Sequence, residues 1–185
     1  MKKIISVLFA FCLCMAASAQ QHMKFMGIPL DGTIDNFAMK LKAKGVTYDA
    51  AKSKAAGQGC RVFNGTFMGE NATINVAYNP KSKMVFSAAV EMQYPTVESA
   101  HIPFLNLTES LQRKYPNTTP EENRGPDGDV IGLAFNIPDE TGGNSIGFIL
   151  QSLKTPSFGS GIPICLMYTD MDNFEKSEAI LNEDL

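Results

Sequence analysis

ATINVAYNPKSKMVFSAAVEMQ, residues 72–93, holds two strands and the turn that joins them. Ala72, Ile74, Val76 and Tyr78 alternate with Thr73, Asn75 and Ala77, the period of two that turns one strand face to a core and the other to solvent. Asn79-Pro80-Lys81-Ser82-Lys83 is polar and carries a proline that cannot donate to a ladder, so it reads as a hairpin turn. Met84 to Gln93 is apolar on both sides for most of its length, as expected of a strand inside a sheet. An antiparallel sheet follows from this stretch, and the other elements fall around it.

Upstream, Cys60 to Met68 predicts another strand, broken or bulged at Gly65. Before it comes a helix. Thr33 is the natural N-cap, Ile34, Phe37, Ala38 and Leu41 recur at helical spacing, and Lys40, Lys42 and Lys44 suit the C-terminal end of the dipole before Gly45 stops the chain. Residues 20–28 read as an extended lead-in, with a turn marked by Pro29 and Asp31-Gly32.

Downstream the order repeats. Phe104, Leu107, Leu111 and Tyr115 form a second helical stripe, approached through Ser99–Pro103 and ended by Pro116. Thr119 to Asp129 reads as a polar loop. Strands are expected at Val130–Ile137, Ser145–Leu153 and Ile162–Thr169, with a turn at Asp139–Asn144, and residues 173–185 read either as a short terminal helix or as a frayed end. The predicted fold class is α+β in two layers, an antiparallel sheet with helices on one face. Its plan is two tandem helix-plus-three-strand units, residues 20–96 and 97–185 of a single domain.

Residues 1–19 have the layout of a secretory signal peptide. Lys2 and Lys3 precede an apolar run from Ile4 to Ala17, and Ala17-Ser18-Ala19 places the cut before Gln20. The run is too short for a stable transmembrane helix, which needs about 20 apolar residues. Cys12 follows Phe11 and Cys14 follows Leu13, neither the small residue that a lipoprotein signal needs. The expected location is periplasmic or extracellular. Of the chain's 16 basic and 19 acidic residues, two lysines leave with the signal, so the mature net charge is near −5. That balance argues against nucleic acid or an anionic membrane as the main partner.

Cys60 and Cys165 are the two cysteines of the mature chain, a candidate disulfide of an exported protein. Two separate buried thiols are the alternative. If Ile164, Leu166 and Tyr168 face the helices, Cys165 projects to the opposite face. Cys60, three positions before the helix-facing Phe63, does so too.

Phe25-Met26-Gly27-Ile28-Pro29-Leu30-Asp31-Gly32, with Phe37, Leu41, Lys44 and Gly45 behind it and Arg113-Lys114-Tyr115-Pro116 at the second helix, resembles a recurring pattern of secreted Bacteroidetes proteins. The resemblance covers the first helix region and the second helix, and it implies export without supplying catalytic residues. The order of elements is also similar to the tandem units of beta-lactamase-inhibitor-protein-like folds, a likeness of architecture alone.

No catalytic, cofactor-binding or metal-binding residues are assigned from the sequence, and no cofactor is expected. His22 falls in the N-terminal tail, and Ser99 and His101 stand two apart without a nucleophile-elbow turn. Glu121, Glu122, Asp127 and Asp129 form an oxygen-rich cluster that lacks the spacing of a calcium loop. Phe158-Gly159-Ser160-Gly161 is glycine-rich but precedes a strand rather than a helix. Four glycosylation-type sequons start at Asn64, Asn71, Asn106 and Asn117. The expected function is a non-enzymatic binding or interaction module for an unknown protein or small-molecule ligand. The alternative is a secreted hydrolase whose site is assembled from residues distant in sequence. A pocket of convergent ionisable groups would favour the hydrolase, and a broad exposed sheet face with apolar and aromatic side chains would favour the module.

Overall fold

The computed structural model describes residues 22–126, 128, 130–138, 143–150 and 162–182. The proposed signal segment, Asp127, Asp129 and the glycine-rich stretch at 158–161 lie outside them. The chain enters through a small hairpin, β1 (Lys24–Phe25) and β2 (Ile28–Pro29), rather than an extended lead-in. Its turn is Met26-Gly27, both with positive φ (50° and 75°), a conformation that glycine tolerates without strain.

The first helix, α1 (Ile34–Ala43), has the predicted start. Thr33 accepts a hydrogen bond from the Asn36 amide, and Ile34, Phe37 and Leu41 are buried. A two-residue strand, β3 (Thr47–Tyr48), and a short helix, α2 (Ala50–Ala56), follow it. Asp49 caps α2 through the Lys52 amide. Three long strands then form a meander, β4 (Cys60–Phe67), β5 (Glu70–Tyr78) and β6 (Val85–Tyr94).

The second half begins with α3 (Val97–Lys114), which starts well before the sequence periodicity suggested. Thr96 and Ser99 form a reciprocal capping box that nucleates the helix upstream of Pro103. Pro103 sits inside the helix at the cost of one backbone bond. The expected loop after it contains a strand, β7 (Glu121–Arg124), followed by β8 (Val130–Pro138), β9 (Gly143–Leu150) and β10 (Ile162–Asp170). A last helix, α4 (Met171–Asn182), ends the described residues.

The fold is α+β. Eight strands make one antiparallel sheet in the order β3-β4-β5-β6-β10-β9-β8-β7. Each half supplies four strands as a meander, one more than expected, and the halves join where β6 pairs with β10. The register from β4 to β10 sorts side chains to two faces. Phe63, Ile74, Val90 and Leu166 share one face and are buried. With Phe37 and Leu41 of α1, Leu107 and Leu111 of α3, and Phe25 of the hairpin, they form one hydrophobic core. Phe25 stacks on Phe67 and meets Tyr168 edge-on, so the hairpin is part of that layer.

The expectation of helices on one face holds for α1 and α3, while α2, which the sequence did not distinguish from loop, and the last helix, α4, sit at the margins of the sheet. α2 runs along the outer edge of β4, where Ser53 Oγ accepts from the Val62 amide at 2.8 Å. α4 closes one end of the sheet. Phe174 meets Phe86 edge-on and the buried Asn79 side chain donates to the Ser177 carbonyl. The expected irregularity at Gly65 is also absent, since β4 pairs with β5 without a break from Cys60 to Phe67. The bulge falls at Ala77/Tyr78 instead. Gly65 is there because Val46 crosses it closely; a Cβ at Gly65 would lie 3.1 Å from Val46 Cγ2.

Candidate functional site

The face of the sheet away from α1 and α3 carries Thr73, Asn75, Ala89, Glu91 and Met167 near its centre. Among the described residues it is predominantly polar, with Met167 about half exposed, and it offers none of the aromatic side chains expected of a docking face. Beside α2 the Lys52 ammonium reaches onto it, donating to Asn64 Oδ1 at 3.0 Å and Thr73 Oγ1 at 3.1 Å.

Exposed apolar and aromatic groups gather on the other side of the edge, between α1 and the β3–β4 corner. Helical spacing places Ala38, Met39 and Lys42 on the flank of α1, while β3 contributes Tyr48 and β4 contributes Arg61 and Phe63. Together with Val46 and Thr47 they line an open groove of about 580 Å³. Its floor is buried, with Val46 and Phe63 at 2% exposure, whereas its rims stand out, Met39 at 63% and Tyr48 at 56%. Tyr48 and Phe63 are opposed across β3 and β4 and meet edge-on, ring centroids 5.7 Å apart. That contact orients the Tyr48 ring without covering it.

Charge is distributed unevenly around this groove. From Thr33 to Arg61 there are six basic residues and two acids, a net of +4 in a chain whose overall charge is −3. Both acids are engaged internally. Asp35 pairs with Arg61 Nη1 at 2.6 Å, and Arg61 also stacks over Tyr78. Asp49 accepts from the Lys52 amide and from Asn64 Nδ2 at 2.8 Å, contacts that hold its carboxyl below the usual carboxylate range.

Cys60 and Cys165 both lie on the face away from α1 and α3, but they form no bridge. Their strands, β4 and β10, are separated by β5 and β6, an offset of roughly 14 Å at about 4.8 Å per strand. A disulfide needs Cα atoms within about 7 Å. Burial raises both thiols above the ordinary value, Cys165 to about 11 with the neighbouring Glu91 adding to the shift.

The N-terminal histidine is held, contrary to its reading as part of a tail. His22 Nδ1 lies 2.9 Å from Asp170 Oδ2, which also accepts the Met23 amide. The other oxygen, Oδ1, caps α4 by accepting the Asn173 amide, and Asn173 Nδ2 donates to the Leu30 carbonyl at 2.7 Å. This cluster ties hairpin, β10 and α4 together. The hydrogen-bond partners of His22 among the described residues are Asp170 and Asn173, neither of them a hydroxyl or thiol that a histidine could activate. His101 is exposed on α3, and Ser99 spends its hydroxyl on the helix cap. Glu121 and Glu122 are exposed on β7, with Glu122 paired to Arg124. Among the described residues no three of His, Cys, Asp and Glu converge as metal ligands. No helix of the described residues is long and apolar enough to cross a membrane.

Comparison of the chain with protein-family models, with curated proteins and with solved structures found no match.

Proposed function

We propose that this chain is an exported, non-enzymatic interaction module that receives a partner in the groove between α1 and the β3–β4 corner. The observation that carries the reading is the contrast within the groove. Phe63 and Val46 form a rigid buried floor, while Tyr48 and Met39 project more than half their surface into solvent beside them. Tyrosine, methionine, phenylalanine and arginine are the residue types that protein interfaces concentrate. Such side chains, clustered and preorganised, supply anchors at small entropic cost. Export rests on the signal layout of residues 1–19, and the resemblance to secreted Bacteroidetes proteins points the same way.

A photo-crosslinking amino acid placed at Tyr48, with a control at the equally exposed Ile102 of α3, tests the reading in cells that export the protein. The expected result is a discrete adduct from position 48 and none from position 102. Equal labelling at the two positions, or no adduct at either, refutes the groove as the docking site.

A further inference from the structure

We infer that the occupant of the groove is an extended acidic segment of a partner protein, with an apolar or aromatic side chain set between its carboxylates. The inference rests on the docking role proposed above and adds the chemistry of the partner. Two features of the groove carry it, one of backbone and one of charge.

The backbone feature is the edge of the sheet. Among the described residues β3 is the outermost strand and pairs only with β4. The ladder bond from the Asp49 amide to the Val62 carbonyl shows which residues face β4. In an antiparallel pair hydrogen-bonded and non-hydrogen-bonded positions alternate, so Tyr48, opposite Phe63, turns its N–H and C=O outward. An extended peptide laid beside β3 would exchange both bonds with Tyr48. Its side chain opposite Tyr48 would share the Phe63 face of the sheet and enter the groove. The short edge accommodates one such exchange, and the apolar floor supplies the rest of the contact.

The charge feature is the basic surround. Lys42 and Arg61 line the groove itself, and Lys40 and Lys44 extend the positive charge along α1. The only acids of the 33–61 stretch, Asp35 and Asp49, are committed to Arg61 and to the α2 cap. A partner with carboxylates flanking its anchor is therefore attracted, and a basic one is repelled. An enclosed site for a small amphiphile would cover its ligand on most sides. Here both rim residues are open, which suits a chain segment passing across.

Selection of phage-displayed random peptides on the full mature chain, followed by fluorescence anisotropy with the enriched peptides, tests the inference. The expected winners carry two or more carboxylates around an aromatic or aliphatic residue. Their Kd should rise about tenfold or more for Tyr48→Ala, and also for Lys42→Glu combined with Lys40→Glu, with circular dichroism confirming that the variants fold. Raising NaCl from about 50 to about 300 mM should weaken binding several-fold. Winners that depend on Tyr48 but show no acidic bias overturn the charge inference and leave the groove reading standing. Absence of any Tyr48-dependent peptide overturns both. Phosphatidylglycerol vesicles are the remaining arm: binding to them, lost in the lysine variants, without peptide binding replaces the peptide by a membrane surface.

Discussion

Asp170 is the residue whose loss should cost the fold most per atom removed. Its carboxyl is 3% exposed and takes three donors from two parts of the chain: His22 Nδ1, the Met23 amide and the Asn173 amide. Asp170→Ala deletes the cap of α4, a loss of about 1 kcal/mol. It also leaves the Met23 amide buried without an acceptor, about 1–3 kcal/mol. The partly exposed His22 contact adds at most a further ~1 kcal/mol. A destabilisation of about 2–5 kcal/mol follows. Asp170→Asn refines the argument, because one carboxamide oxygen can serve Asn173 or Met23 but not both. It should retain the cap and lose about 1–3 kcal/mol. Urea titration at neutral pH, followed by circular dichroism, gives both values from the midpoints and slopes. Hydrogen exchange at the Met23 amide should accelerate in both variants. An alanine variant within about 0.5 kcal/mol of wild type, with Met23 exchange unchanged, would refute the clasp.

Phe37 is 1% exposed in the core, so Phe37→Ala should cost about 3–5 kcal/mol, near 9–15 °C in melting temperature, whereas exposed Lys40→Ala should move it little; equal melting points would sink the packing of α1. With its pKa pushed up to about 11, Cys165 holds roughly a hundredfold less thiolate at pH 8 than an ordinary thiol, so iodoacetamide should label it slowly in the native state and quickly after unfolding. The non-reduced intact mass should show two free thiols, and a mass two hydrogens lighter would restore the bridge. The same spectrum tests export, with cleavage before Gln20 as the expected terminus and a retained leader as the contrary result.

Elements defined by side-chain period were legible from the sequence, and those defined by a cap or by a distant partner were not. The stripe Ile34–Phe37–Leu41 and the alternation of β5 and β10 carry their burial in their spacing. α2 has no apolar stripe; Asp49 and a hydroxyl bonded to Val62 hold it, and only the folded edge supplies Val62. β3 and β7 are too short or too polar to show a period and exist because a neighbouring strand accepts them. Pro103 suggested a late start for α3, but the Thr96–Ser99 box outweighs it. Parity alone put both cysteines on one face correctly, while their lateral distance depended on strand order. The groove was hidden for a similar reason. Met39, Tyr48 and Phe63 lie on three elements, of which β3 was not distinguished from loop, and the approach of α1 to that edge is set by the fold.

The β6–β10 junction sets an order of events during folding. Within each meander, neighbouring strands are joined over a short stretch of chain, whereas the junction pairs Val90 with Leu166, 76 positions apart. Closing that span costs about 2–3 kcal/mol more chain entropy than closing a turn of five residues. The two halves therefore gain local order first, and each exposes a bare strand edge until the other arrives. Pulsed hydrogen exchange during refolding should show β4–β5 amides protected before those shared by β6 and β10. While the junction is open, the strands on either side of it are the surfaces at which two chains could exchange halves.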